Sequence, residues 1–185
     1  EDIKSLCSRF DGIVALDEAY IEFASSGSLA QSVLEYENLV VLRTMSKAWG
    51  LAGIRIGYAI ANPRMIEYLN RLKMPYAVNG VSEFIATEAL KKTAALGEMC
   101  KKIRDEREVL AEKFTDMGLY VFPSEANFLL VKIPRGSAVA RQLAEKYRIV
   151  TRDFSASQPL ENCIRITVGT PAENEKLLSA LQQLL

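Results

Sequence analysis

Apolar positions along the chain change their period repeatedly, and the changes mark the elements. Residues 3–10 carry Ile3, Leu6, Cys7 and Phe10 at helical spacing, and residues 12–16 then form an apolar run with the pattern of a buried strand. A serine-rich loop follows at 25–28, and 32–36 fits a short helix leading into a second, β-branched run at 39–44. A third strand is expected at 54–60, stopped by Asn62-Pro63. Residues 65–73 and 81–96 read as helices, the first with Met65, Ile66, Leu69 and Leu72 on one face, and 74–80 separates them. From Gly97 a charged helix runs to Met117 on the stripe Met99, Ile103, Leu110, Phe114 and Met117, with Gly118 placed to end it. The final third predicts short strands at 119–122, 128–133, 149–151 and 164–168, with helices at 137–147 and 172–185 covering one face.

This order of strands and helices predicts an α/β protein in two parts, with a boundary inside the long charged helix. At 185 residues there is enough chain for one good core or two small ones. Lys+Arg and Asp+Glu are equal at 23 each, so nothing in the charge balance points to nucleic acid or a membrane surface. No apolar run reaches the length of a membrane span. The 3 cysteines are widely spaced, which fits buried thiols in a reducing compartment and neither a disulfide set nor a zinc site. Histidine is absent, which removes Ser-His and Cys-His nucleophile pairs and imidazole metal sites.

Chemistry concentrates where strands end. Ser46-Lys47 stands just past the run at 39–44, at the strand edge where open α/β sheets bind ligands. Arg55 follows between Gly53 and Gly57. A lysine amine beside a hydroxyl and near an arginine points to covalent chemistry on an anionic cofactor; the plainer reading is a surface lysine. Asp17 closes the run at 12–16, and if the two strands are parallel neighbours it faces the same crevice as Lys47; alone it reads equally as a helix cap or turn former. Arg165 lies inside an apolar β run, so its guanidinium needs a polar partner: a carboxylate, a ligand or a solvated sheet face. Arg152 follows the strand expected at 149–151.

Ser46-Lys47 followed by Gly53-Ile54-Arg55-Ile56-Gly57 resembles the lysine signature of pyridoxal-phosphate aminotransferases of fold type I. Thr44-Met45-Ser46-Lys47-Ala48 is similar to the histidinol-phosphate aminotransferase branch of that class II family. Asp17-Glu18-Ala19-Tyr20, the Pro75-Tyr76-Ala77-Val78-Asn79 segment and Arg165-Ile166-Thr167-Val168-Gly169-Thr170 resemble further stretches of the same family. The resemblance implies part of a large domain, with a mostly parallel sheet and helices, over 1–98, and a smaller carboxyl-terminal α/β domain over 99–185. It implies pyridoxal 5'-phosphate as cofactor. Lys47 would form the Schiff base with its aldehyde and then act as the base at the substrate α-carbon. Asp17 would pair with the ring nitrogen and Tyr20 with the phenolic oxygen, while Arg55, Ser46 and Thr44 would hold the phosphate. Arg165 would bind the acidic group of the substrate, and Arg152 its phosphate.

The resemblance further implies a small-molecule amino donor and a 2-oxo acid, here histidinol phosphate and 2-oxoglutarate in histidine biosynthesis, in a cytoplasmic homodimer. The family also carries an amino-terminal half with a glycine-containing phosphate turn, an Asn-Pro-x-x-Pro-Thr-Gly loop and a ring-stacking aromatic, none of which occurs here. The chain is therefore expected to be a fragment, inactive alone, of a competent enzyme. Related lysine motifs leave a threonine-phosphate decarboxylase-like or aromatic-amino-acid aminotransferase open. A non-catalytic structural remnant is the alternative outside enzymes. A nucleotide-binding domain fits poorly, as the chain has neither Gly-x-Gly-x-x-Gly after a strand nor a P-loop.

Overall fold

A computed structural model describes residues 2–185, which divide into two compact units, the first ending at Gly97 and the second spanning Glu98–Leu185.

The first unit opens with helix α1 (Ile3–Arg9), capped by Asp2, whose carboxylate accepts from the Lys4 amide. Strands β1 (Val14–Asp17) and β2 (Leu39–Thr44) pair in parallel, Val14 opposite Leu39 and Asp17 opposite Leu42. Asn38 fixes where β2 begins, its Nδ2 lying 2.9–3.1 Å from the carbonyls of Cys7, Phe10 and Gly12. Strand β3 (Gly57–Ala61) pairs antiparallel with β2, so the described sheet, in order β1-β2-β3, is mixed where a mostly parallel one was expected. The reason is local. The segment 45–56 holds only the short 3-10 turn Ala52–Ile54 and no crossover helix, so the chain folds straight back. The strand also starts three residues later than its apolar pattern implies, because Ile54 belongs to that turn and Arg55 takes a left-handed backbone, φ 55°. Cys7, Val14, Val33, Leu39 and Val41 form the buried core.

Helices α2 (Pro63–Leu72) and α3 (Gly80–Leu90) complete the unit and lead to α4 (Thr93–Asp116). The helix break falls at Lys91–Lys92 rather than at Gly97, which sits within α4. Asn62 and Asn79 cap α2 and α3 through their side chains.

The second unit follows the ordinary logic of a sheet covered by helices. Strands β4 (Tyr120–Val121), β5 (Phe128–Lys132), β6 (Arg152–Asp153) and β7 (Cys163–Thr167) form an antiparallel sheet in the order β4-β5-β7-β6. Helices α5 (Gly136–Tyr147) and α6 (Pro171–Leu184) pack with Phe114 and Leu110 of α4 on a core that includes Leu129, Val131, Leu143, Ile164, Ile166 and Leu181. The strand expected at 149–151 is displaced to Arg152–Asp153. Arg148 turns left-handed after α5, and the Ile149 amide bonds back to the Leu143 carbonyl, so this stretch caps the helix instead of joining the ladder. All three cysteines are buried free thiols. Among the described residues, no helix is long and apolar enough to cross a membrane.

Candidate active site

Asp17 is the last residue of β1, and β2, its parallel neighbour, ends at Thr44. The chain therefore leaves both strands at one edge of the sheet, the carboxyl edge, and the sequence candidates gather there. Asp17 is exposed, and its Oδ1 accepts from the Ala19 amide at 2.9 Å, so it forms the turn its type favours. Its other oxygen has no partner among the described residues and is free to accept from a ligand. Tyr20 then starts the 3-10 turn Ile21–Phe23. Lys47, past the end of β2, lies with Nζ 5.1 Å from the centroid of the Tyr20 ring, within cation–π range. The lysine is exposed and forms no salt bridge among the described residues.

The loop that carries Lys47 is held from both sides. Met45 and Ala48 are each 1% exposed and pin it to the interior, leaving Lys47 between them pointing outward. The Gly50 amide donates to the Lys47 carbonyl at 2.9 Å with φ at 66°, a value that favours glycine, and the Leu51 amide closes onto Met45 at 3.0 Å. Thr44 Oγ1 accepts from the Ser46 amide at 3.0 Å and donates to the Ile56 carbonyl at 3.4 Å. That carbonyl also accepts from the Met45 amide at 3.0 Å, so the segments holding Thr44, Ser46 and Arg55 are tied together. Arg55 is exposed, with Nη1 donating to the Ala52 carbonyl at 2.9 Å. A left-handed backbone costs a non-glycine residue about 1–2 kcal/mol, and such strain concentrates at functional sites.

Beneath this edge lies an ion-pair network that the sequence reading did not single out. Arg43, inside β2, donates from Nε to Glu18 Oε2, from Nη1 to Glu22 Oε1 and from Nη2 to Ser28 Oγ, each at 2.8 Å. Glu18 is buried, accepting also from Ser28 Oγ and from the Leu29 amide at 2.8 Å. The signal was present. An arginine in an apolar β run needs a partner, an argument applied to Arg165 that holds equally for Arg43.

In the second unit, Arg152 and Arg165 are directly opposite one another on β6 and β7. Arg165 lies 4.9 Å from the Phe128 ring centroid and Arg152 5.7 Å from that of Phe154, and neither forms a salt bridge among the described residues. The carboxylate partner considered for Arg165 is thus replaced by an aromatic face.

A family model described as aminotransferase class I and II matches residues 1–181. A curated histidinol-phosphate aminotransferase of Thermoanaerobacter pseudethanolicus is 43% identical over 186 aligned positions, covering 100% of this chain and 52% of the relative. The crystal structure of the histidinol-phosphate aminotransferase from Clostridium acetobutylicum superposes with TM-score 0.87 at 28% identity, over 98% of this chain and 57% of that one. That of the Sinorhizobium meliloti enzyme, in complex with pyridoxal-5'-phosphate, does so with TM-score 0.80 at 29% identity, over 94% and 50%. The chain spans about half the length of the curated relatives it matches.

Proposed function

The chain belongs to the class I and II aminotransferases, and on that premise we propose that the complete protein carrying it is a pyridoxal-phosphate-dependent aminotransferase that moves an amino group from histidinol phosphate to 2-oxoglutarate. One observation carries the cofactor reading. At a single sheet edge an unpaired lysine amine stands against a tyrosine ring, beside an aspartate with an unused carboxylate oxygen.

The donor set fits the cofactor: an amine for its aldehyde, a carboxylate for its ring nitrogen, a phenol for its ring oxygen, and hydroxyls and a guanidinium for its phosphate. When bound, pyridoxal 5'-phosphate supplies the electron sink for the substrate α-carbon. The protein's own residues do the rest. Lys47 would hold the cofactor by its aldehyde and, once released, its Nζ would carry the proton at the substrate α-carbon. Asp17 would face the ring nitrogen, its unused carboxylate oxygen accepting from the ring N–H. Tyr20 would hydrogen-bond the ring oxygen. Arg55 and Ser46 would give a charge-assisted and a neutral donor to the phosphate, and Thr44 would join them by turning its hydroxyl away from the Ile56 carbonyl. In the second unit Arg165 and Arg152 face each other across the sheet, and their guanidiniums would bind the acidic and phosphate groups of the substrates.

The names of the relatives support histidinol phosphate as donor. The test is a titration of the complete protein with pyridoxal 5'-phosphate, borohydride reduction and peptide mapping, followed by product analysis with histidinol phosphate and 2-oxoglutarate. The expected result is label on Lys47, none in Lys47→Ala, and glutamate as product. Label scattered over surface lysines would refute the cofactor reading. Label on Lys47 with carbon dioxide released from a phosphorylated amino acid, and no transamination of histidinol phosphate, would replace the proposed reaction with decarboxylation.

A further inference from the structure

We propose that Arg43 and Glu18 are positioning residues, a buried clamp that sets Asp17 and Tyr20 against Lys47. This rests on the cofactor reading above. The loop after β1 carries Asp17 and Tyr20, and the loop after β2 carries Lys47. Backbone bonding between the strands continues only one residue past Asp17, with the Glu18 amide donating to the Leu42 carbonyl at 2.9 Å. Beyond it, residues 19–29 hold only a short 3-10 turn and must be placed by side chains. Arg43 meets that need. It is fixed in β2, opposite Tyr58 of β3, and spends Nε, Nη1 and Nη2 on three residues of the loop: Glu18, Glu22 and Ser28. Glu18 directly follows Asp17 in sequence. Its side chain is 4% exposed and that of Arg43 15%, so the pair is shielded from solvent screening. Glu18 gathers the far end of the loop as well, through Ser28 Oγ and the Leu29 amide.

Three hydrogen bonds hold the Glu18 carboxylate inside the protein, so its contribution to the chemistry runs through what it positions. Were the clamp merely structural, loosening it would weaken every cofactor alike. If it sets Asp17, loosening it weakens selectively the interaction Asp17 makes, the one with the ring nitrogen. A cofactor analogue in which C–H replaces that nitrogen separates the two cases, because it gives Asp17 nothing to hold.

The experiment uses the complete protein stripped of cofactor, titrated by absorption with pyridoxal 5'-phosphate and with the carbon analogue, and reads the ratio of the two dissociation constants. The variants are Arg43→Lys, which keeps the charge and loses the fork, Glu18→Gln, and the milder Glu22→Gln, which takes the charge out of one of the three bonds. Val33→Ala, a core truncation outside the clamp, is the control for general loosening. The wild type is expected to prefer the natural cofactor. Arg43→Lys and Glu18→Gln should shrink that preference about tenfold, the order seen when residues that orient a ligand-binding group are removed. Glu22→Gln should shrink it less, and Val33→Ala should leave it unchanged. Should the two central variants not fold, Glu22→Gln alone decides. An unchanged ratio with labelled Lys47 would overturn the clamp and leave the cofactor reading standing. A wild-type ratio near one would show that Asp17 does not hold the ring nitrogen, and the clamp would fall with that role, while the label on Lys47 separately decides the cofactor reading.

Discussion

Arg152 and Arg165 face each other across an antiparallel pair, and like charges in directly opposed positions destabilise a sheet. Each rests on an aromatic ring, which eases the repulsion without neutralising it. An anion binding both would. Arg165→Gln is expected to lower kcat/KM for an acidic substrate roughly 10- to 150-fold, the range for losing a hydrogen bond to a charged group. Arg152→Gln should cost less, since that side chain is more exposed and better screened. Steady-state kinetics of the complete protein check both; equal kinetics in Arg165→Gln would remove the arginine from the site. Asp17 illustrates what was legible at this scale. Its two sequence readings, turn former and ligand acceptor, proved compatible, because one carboxylate oxygen makes the turn and the other is left over.

At the scale of elements, the end of α4 was legible because a cap is local chemistry. Gly118 follows α4 with φ at 77°, its amide bonding to the Thr115 carbonyl while that of Leu119 bonds to Phe114. Gly118→Ala should therefore destabilise the protein by about 1–2 kcal/mol, read by chemical denaturation, despite having open space around its Cβ position. At the start of α6, Thr170 and Glu173 form a capping box. The Thr170 amide and then its hydroxyl hold the Glu173 carboxyl below its usual range. A carboxylate whose value is depressed on folding stabilises the native state above its unfolded value, and that contribution disappears as pH falls through the folded value. Thermal stability should therefore drop in the acid range, and Glu173→Gln should flatten that part of the curve. An unchanged acid limb would refute the cap. The strand at β6 was misplaced because its neighbour, the stretch 149–151, has strand-like residues whose backbone is taken by the end of α5. Propensity cannot see such competition.

For the molecule as a whole, the two units differ in how much apolar surface they cover. The second buries a contiguous core over its sheet. In the first, Leu72, Met74, Tyr76, Val81 and Phe84 are 67–99% exposed. Such a concentration marks surface that another chain or segment covers. The chain on its own is expected to self-associate at micromolar concentration, with light scattering rising with concentration; a clean monomer across that range would contradict it. It is also expected to give no measurable transamination alone, in line with the half of each relative that lies outside it.

By itself the sequence determined the α/β class, most of the helices and strands and the glycine stop of α4, and it singled out Ser46, Lys47, Arg55 and Asp17 as candidates. Each depends on short-range rules: periodicity, turn chemistry and residue type over a few positions. Tertiary structure alone decided that β1 and β2 are parallel neighbours while β3 turns back, since strand direction follows from how the chain packs between them. It alone placed Lys47 over Tyr20, set Arg152 opposite Arg165 and closed Arg43 onto Glu18. Those pairs join residues 13–27 positions apart, and only the sheet brings them within reach of the short-range forces that bind them.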